Sequence, residues 1–278
     1  MTPTPVGWVD PRWLRLRGPA DVHARTTFTA DLAADLAQHL TRRLPGDGDV
    51  ARMVDLGAGT GLGAAWLRAR LPVEQHWRLV DHDRSLLAAA PATVEGWARG
   101  IVADVGDLPG LLAEEPAHVV TCQALLDILT ADEVDAMLAA AMDSGAALLL
   151  SLNVSGDVAL TPRHHDDDIV TGAFNAHQRR AGRLGPDAGA YAADGLRDHG
   201  YEVSVTATPW QLGAADSDLI LAWLQGYAAA ALEQQPDKAD RIGRWQESRQ
   251  AAAADGGLSV VVGHLDVLGL PSGPVTYT

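Results

Sequence analysis

Cysteine, lysine and phenylalanine are nearly missing from this chain. Among 278 residues there is one cysteine, Cys122, one lysine, Lys238, and two phenylalanines. A lone cysteine can form no disulfide within the chain, so folding needs no oxidising compartment and a reduced, cytoplasmic setting is expected. Aromatics make up only 5 % of residues against 47 % hydrophobic overall, so the core must be built largely from Ala, Leu and Val. Positive charge is also scarce: 21 Lys and Arg face 36 Asp and Glu, for a net charge of −15. Such a surface repels phosphate backbones, and nucleic acid is not an expected partner. No apolar run approaches the ~20 residues of a membrane helix. The longest candidates, 146–152 and 258–265, are strand-sized, and residues 1–20 are broken by Pro, Asp, Trp and Arg rather than carrying a signal core. No membrane partner is expected.

What is present is an alternation of short apolar runs and helical patterns. Its length suits one elaborated α/β domain covering 1–278. Residues 1–45 read as an N-terminal cap segment, irregular by Pro and Gly content over the first ~20 residues. Residues 21–44 then read as a helix with apolar positions at Leu32, Leu36 and Leu40, stopped by Pro45-Gly46. Strands follow at 52–56, 77–80, 100–103, 118–122 and 146–152, and helices at 62–71, 84–90, 108–113 and 131–142. Such alternation argues for a parallel sheet with helices on both faces. The pattern breaks over 153–184, which is polar and irregular, and resumes with a helix at 186–198, a strand at 201–207, a helical stretch from 214 to about 250 and a last strand at 258–265. Within that stretch, 219–232 is apolar nearly all round, as in a helix buried in its own core or at a homodimer interface.

The strongest local signal is Val54-Asp55-Leu56-Gly57-Ala58-Gly59-Thr60-Gly61, which follows a strand and opens a helix. Glycines let a backbone turn tightly and approach a ligand closely, and amides exposed at a helix start offer donors. The plain alternative is a tight strand-to-helix turn with no ligand. Gly59-Thr60-Gly61-Leu62-Gly63-Ala64 also fits the dinucleotide pattern, and Asp81 lies 20 residues past Gly61. A carboxylate there suits the ribose of NAD and of S-adenosylmethionine equally. Asp55, two residues before the first glycine, separates the two: a carboxylate sits poorly against a pyrophosphate but well near an ammonium group.

The run resembles the first motif of class I S-adenosylmethionine-dependent methyltransferases, and Ala103-Asp104-Val105 resembles the family element that holds adenine. The resemblance is close from about Met53 to Leu152 and looser beyond. It implies a Rossmann-like, seven-stranded, mostly parallel sheet with an antiparallel last strand, helices on both faces and a helical or irregular lid insertion. By the same resemblance Gly57, Ala58, Gly59 and Gly61 form the loop under the methionine part, and Asp55 lies near its ammonium. Asp81 would bind the ribose and His82 flank the adenine. Asp104 and Val105 would take the adenine edge, and Cys122 and Gln123 border the sulfonium. The Asp/Asn-Pro-Pro-aromatic motif of amino-group methyltransferases is replaced by Thr121-Cys122-Gln123-Ala124, which disfavours base or glutamine N-methylation of that type. Cys122 also reads simply as a small buried filler.

The segment 154–185 reads as a lid over the substrate site, a long loop being either functional or disordered. Its His164 and His177 are the candidate general bases, and Asn175 and Arg179, four apart, the candidate acceptor-binding pair. The plain alternative is a solvated loop. A metal site at His164–Asp168 would need adjacent residues to converge on one ion, which they rarely do, so no metal is expected. Arg25 is placed to pair with a carboxylate of cofactor or acceptor, while Arg15 and Arg17 read as surface arginines. The expected activity is O- or N-methylation of a small molecule with S-adenosylmethionine. The alternatives are an NAD-dependent oxidoreductase and a non-catalytic cofactor-binding module. The first lacks a Tyr-x-x-x-Lys pair, because Gln234 stands four positions before Lys238.

Overall fold

The computed structural model describes residues 11–44, 46, 48–90 and 96–273. Its centre is an eight-stranded sheet: β1 (Val50–Leu56), β2 (Glu74–Asp81), β3 (Ala98–Val102), β4 (Val119–Gln123), β5 (Ala147–Thr161), β6 (Tyr201–Ala207), β7 (Trp210–Leu212) and β8 (Ser259–Pro271). The strand order is β3-β2-β1-β4-β5-β8-β6, with β7 pairing β8. The first five strands are parallel, and β8 runs antiparallel between β5 and β6. The mixed α/β architecture is therefore as expected, with one strand more than the seven anticipated. The additional strand, β7, is three residues long, too short to leave a period in the sequence.

Helices cover the sheet: α1 (Pro11–Phe28), α2 (Ala30–Arg43), α3 (Leu62–Arg68), α4 (Arg84–Ala89), α5 (Leu108–Glu114), α6 (Ala131–Asp143), α7 (Asp167–Gln178), α8 (Ala188–Asp198), α9 (Ser217–Gln234) and α10 (Ala239–Ala254). Alternating parallel strands and helices force consecutive helices onto the sheet faces. On one face α6 and α8 bury Val134, Met137, Leu138, Ala192 and Leu196 against β4, β5 and β8. On the other, α2 and α3 bury Leu36, Leu40, Ala64 and Leu67 against Met53, Trp77 and Leu149.

Two expectations are corrected. Within the cap segment 1–45, residues 1–10 and Pro45 lie outside the described residues. Residues 11–20, expected to be irregular, are the first half of α1, and the single helix expected over 21–44 is two, broken at Thr29. Pro11 opens α1 at the position where a missing N–H costs nothing. The break at Thr29 follows from tertiary bonding: its hydroxyl donates to the buried Asp266 Oδ2 at 2.6 Å. The second correction concerns 154–185. Instead of an irregular run, β5 continues to Thr161, and α7 and two short 3-10 turns complete the segment. Register shifts fall between Leu150/Asn153 and Val154/Val158 along the β8 pairing, where Ser155-Gly156-Asp157 interrupts the period of two that would have marked a strand.

The extended ends of β5 and β8, with β7, α7, α9 and α10, enclose a further core. Tyr227 of α9 stacks on Phe174 (4.2 Å between ring centroids) and on Trp223 (4.4 Å). The all-round apolarity of 219–232 is thus absorbed within the chain, where Leu219, Ile220, Trp223, Leu224, Tyr227, Ala228 and Ala231 are buried. Among the described residues no helix is long and apolar enough to cross a membrane.

Because Leu160 sits in a packed strand, 5 % exposed, Leu160→Ala should lower unfolding stability by about 2–4 kcal/mol in chemical denaturation. A residue in a solvated loop would change it by less than about 0.5 kcal/mol.

Candidate cofactor and acceptor site

The carboxyl ends of β1, β2 and β3 lie side by side, because these strands are neighbours in the sheet. Asp55 is the next-to-last residue of β1, Asp81 the last of β2, and Asp104 lies two residues beyond β3. The strand ends thus bring the three acidic positions to one edge of the sheet. Ala103 N donates to Asp81 O at 3.2 Å and ties the third strand end to the second.

The glycine run forms the turn between β1 and α3. Gly57 has φ +61°, and a Cβ there would stand 2.8 Å from Leu125 Cδ2. Conformation and close approach both demand glycine at this position. Gly63, inside α3, leaves room for the Gln123 amide: a Cβ would lie 1.7 Å from its Nε2, so the amide would have to move. Asp81 holds the turn from the side, its Oδ2 accepting from Gly59 N and its Oδ1 from Asp83 N, both at 2.8 Å.

A cavity of about 500 Å³ opens over this edge, within the range of small-molecule sites. Asp55, Gly57, Ala58, Gly59, Asp81, His82 and Gln123, all anticipated from sequence, line it. Asp55 is 2 % exposed and accepts from Thr121 Oγ1 at 2.6 Å. Burial pushes its carboxyl up to about 7, against the opposing pull of the Thr121 hydroxyl and of Arg25.

The remaining anticipated residues lie elsewhere. Gly61, at φ +76°, caps α3 and is not among the lining residues. Cys122 is fully buried among Val54, Leu56 and Val120. Side chains alternate along a strand, so Thr121 and Gln123 take the cavity side of β4 and Cys122 the core side. Burial raises its thiol pKa, and it touches no part of the cavity wall. Asp104 is exposed with its backbone N–H on Asp107 Oδ2 at 2.9 Å, and Val105 packs against the core; both flank the cavity without lining it.

The segment 154–185 contributes no lining residue. His177 Nε2 lies 3.1 Å from Glu233 Oε2 on α9. His164 belongs to a turn bound to α10, described below. Asn175 donates to Gly156 O at 2.9 Å, and Arg179 forms a bidentate pair with Asp187 at 2.7 and 2.9 Å. Asn175 ties α7 to the middle of β5 and Arg179 ties the end of α7 to the turn before α8, and neither His164 nor His177 lines the cavity.

Of the opposite wall the sequence announced Arg25 alone; Arg17, expected as a surface arginine, lines it as well. Trp13, Leu14, Arg17, Asp21 and Arg25 of α1 face the cavity. The spacing 13-17-21-25 places four of them on one helical face. Arg25 is 3 % exposed; its Nη1 donates to Gln123 Oε1, its Nε to Asp21 O at 3.2 Å, and it lies over the Trp66 ring. Desolvation lowers its pKa. Arg17 binds Asp21 at 2.9 Å, and Trp210 Nε1 donates to the same carboxylate at 3.0 Å. Leu152 and Ala124, also lining, hold left-handed backbone at φ 56° and 50°, a conformation sustained only when the surroundings impose it.

Carboxylates at adjacent strand ends over a glycine turn define an α/β domain that binds a nucleoside-bearing cofactor. Residues 53–144 match the family model described as a methyltransferase domain. The matched segment holds the glycine turn, Asp55, Asp81 and Asp104, so this part of the chain is similar to a methyltransferase domain, a family that uses S-adenosylmethionine. Among solved structures the chain is similar to a cyclopropane-fatty-acyl-phospholipid synthase-like protein from Lactobacillus casei, with 12 % identity, TM-score 0.53 and coverage of 93 % of this chain and 92 % of that one. It is also similar to a methyltransferase from Geobacter sulfurreducens in complex with S-adenosyl-L-homocysteine, with 16 % identity, TM-score 0.42 and coverage of 85 % and 89 %. No curated protein matches it in sequence.

Isothermal calorimetry should show binding of S-adenosylhomocysteine and none of NAD. Asp81→Ala removes a carboxylate that holds the turn and should weaken S-adenosylhomocysteine binding at least tenfold, as expected for loss of hydrogen bonds to a charged group worth about 1.5–3 kcal/mol. A second outcome concerns Asp55. Its raised pKa means that the folded chain keeps a proton that the unfolded chain releases near pH ~4. The stability contributed by this group is present below about pH 4 and lost as pH rises through about 7. Asp55→Asn should therefore raise the thermal midpoint of the unliganded protein more at pH 8 than at pH 5.

Proposed function

We propose that this chain is an S-adenosylmethionine-dependent methyltransferase acting on a small, largely apolar and uncharged acceptor, at oxygen or nitrogen, seated between α1 and the ends of β4 and β5. The carrying observation is that the charged side chains of the cavity already have partners. Arg17 is paired with Asp21, Arg25 with Gln123, and Asp55 with Thr121. On the α1 side the remaining lining is Trp13, Leu14, Ile128, Leu152 and Ala124. The cofactor's charged ends would take Asp55 and Arg25, so a charged acceptor would have to break the Arg17–Asp21 pair, at a cost of several kcal/mol. The net charge of −15 also favours a metabolite over a polyanion.

The fit of the cofactor follows from the same residues. Asp55 would meet the ammonium, Asp81 the ribose hydroxyls, and Arg25 with Gln123 the carboxylate end. His82 and Leu86 would flank the adenine, with Asp104 and Val105 beside its edge. The sulfonium supplies an activated methyl group for in-line displacement. The protein's part is to align the acceptor and exclude water, and α1 forms the wall that does both.

Among the described residues His82 is the one histidine on the cavity wall. It is half exposed and lies 3.7 Å from Asp81 Oδ1, on the ribose side. This favours an acceptor that needs no base before the methyl moves: a weakly basic nitrogen, or a hydroxyl that binds neutral and releases its proton to water as the methyl transfers.

The reading is tested by methyl transfer from radiolabelled S-adenosylmethionine to paired acceptors. Neutral phenols and heteroaromatic amines would be set against the same molecules bearing a carboxylate. Turnover should favour the neutral member of each pair by at least about tenfold, and Trp13→Ala should raise KM for it. Turnover confined to carboxylated acceptors or to nucleic acid would overturn the reading.

A further inference from the structure

The turn that joins β5 to α7 brings three metal-ligating side chains together outside the cavity. One ligand atom from each of His164, His165 and Asp166 lies within 4.8 Å of the others. Adjacent residues seldom converge in this way, and the structure shows what makes these do so. His164 N donates to Asp167 Oδ2 at 2.7 Å, and Asp166 N donates to His164 Nδ1 at 3.2 Å. These bonds curl the chain so that the two imidazoles stack at 4.3 Å, 25° apart. His165 Nε2 lies 3.2 Å, and His164 Nδ1 3.9 Å, from the same oxygen, Asp166 Oδ2.

The carboxylate is set like a metal ligand. Asp166 is 4 % exposed, and its other oxygen, Oδ1, is held by Arg241 Nε of α10. An outer partner on one oxygen fixes the carboxylate and leaves the second for an ion. Asp167 is anchored in turn, its Oδ1 accepting from Trp245 Nε1 at 2.7 Å. Arg249 Nη1 donates to Pro162 O at 2.6 Å, so α10 grips both ends of the turn. Asp166 N donates to His164 Nδ1, so that ring is neutral there and an ion on Nδ1 would take the place of this one long hydrogen bond. Arg163 sits near but is taken up by Asp168, at 2.8 Å.

We propose that His164, His165 and Asp166 bind a divalent late first-row transition ion, with zinc the ion to test. Two imidazoles and one carboxylate suit such an ion rather than Ca²⁺ or Mg²⁺, which prefer all-oxygen sites. His165 is well exposed, with 77 % of its side chain open, which leaves coordination positions for water. None of the three residues lines the cofactor cavity. The site is a clamp: an ion there would join the far end of β5 and the start of α7 to α10 through Asp166 and Arg241.

The test is calorimetric titration of Zn²⁺ alone into the tag-free, chelator-treated full chain, beside the same titration of Mg²⁺. One Zn²⁺ per chain should bind, with Mg²⁺ at least about a hundredfold weaker, and excess Zn²⁺ should raise the thermal midpoint by several degrees. His165→Ala, a change at an exposed side chain, should weaken Zn²⁺ binding at least tenfold and abolish that rise. Its midpoint in chelator and its affinity for S-adenosylhomocysteine should equal those of the parent chain. His164→Gln should act in the same direction. The proposal falls if no stoichiometric Zn²⁺ binds, if binding survives both substitutions undiminished, or if Mg²⁺ binds equally well.

Discussion

The carboxylate of Asp266 holds the roof of the cavity to its floor. It is fully buried on β8 and accepts from three directions: the Thr29 hydroxyl at the α1–α2 break (2.6 Å), the backbone N–H of Leu152 on β5 (2.6 Å) and the Thr208 hydroxyl between β6 and β7 (2.8 Å). Burial raises its pKa, and those donors and Arg25 pull the other way. A buried carboxylate without donors would cost several kcal/mol; with three it fixes geometry that no apolar residue could. The left-handed Leu152, which lines the cavity, is held by this bond, and α1 reaches across the strand ends because its C-terminal end is pinned here.

The same constraint accounts for the sharing of charge in the cavity. Arg25 lies within electrostatic reach of both Asp55 and Asp266, so one buried cation serves two buried carboxylates. Burial raises both carboxyls, and at Asp55 the Thr121 hydroxyl and Arg25 offset it only in part. Arg17 and Asp21 form a separate pair, stacked against Trp210 with the guanidinium 5.4 Å from the ring centroid. Trp210 lies 6.2 Å from Trp13 and 5.0 Å from His264. An aromatic and ion-paired wall therefore connects α1 to β7 and β8.

The parts of the site made by local sequence were legible in it. The glycine turn, Asp55 and Asp81 are read from spacing alone, because a strand, a tight turn and a helix start fit within a dozen residues. The parts made by distant contacts were not. Gly18-Pro19 reads as a chain breaker, yet it lies within α1, where packing across the strand ends outweighs intrinsic propensity. Ser155-Gly156-Asp157 reads as a loop because a bulge destroys the period of two, although Val158 and Leu160 resume it against Val262 and Val260 of β8. Gln123 and Cys122 were given one role because they are neighbours in sequence, whereas strand alternation sends them to opposite faces.

The position of the segment after β5 follows from the length of β5 and β8. In a sheet ending near Leu152, the segment after β5 would have had to loop over the cofactor edge, as the lid reading supposed. Here β8 carries β5 nine residues further, to Thr161, and delivers α7 onto α9 and α10 instead. The edge left open is covered by α1, whose C-terminal end lies beside the Asp266 donors. Residues that a lid would have brought to the methyl position are thereby moved to the far end of the sheet. The cavity wall on that side is α1, anchored at Thr29, and the polar segment after β5 contributes no lining residue.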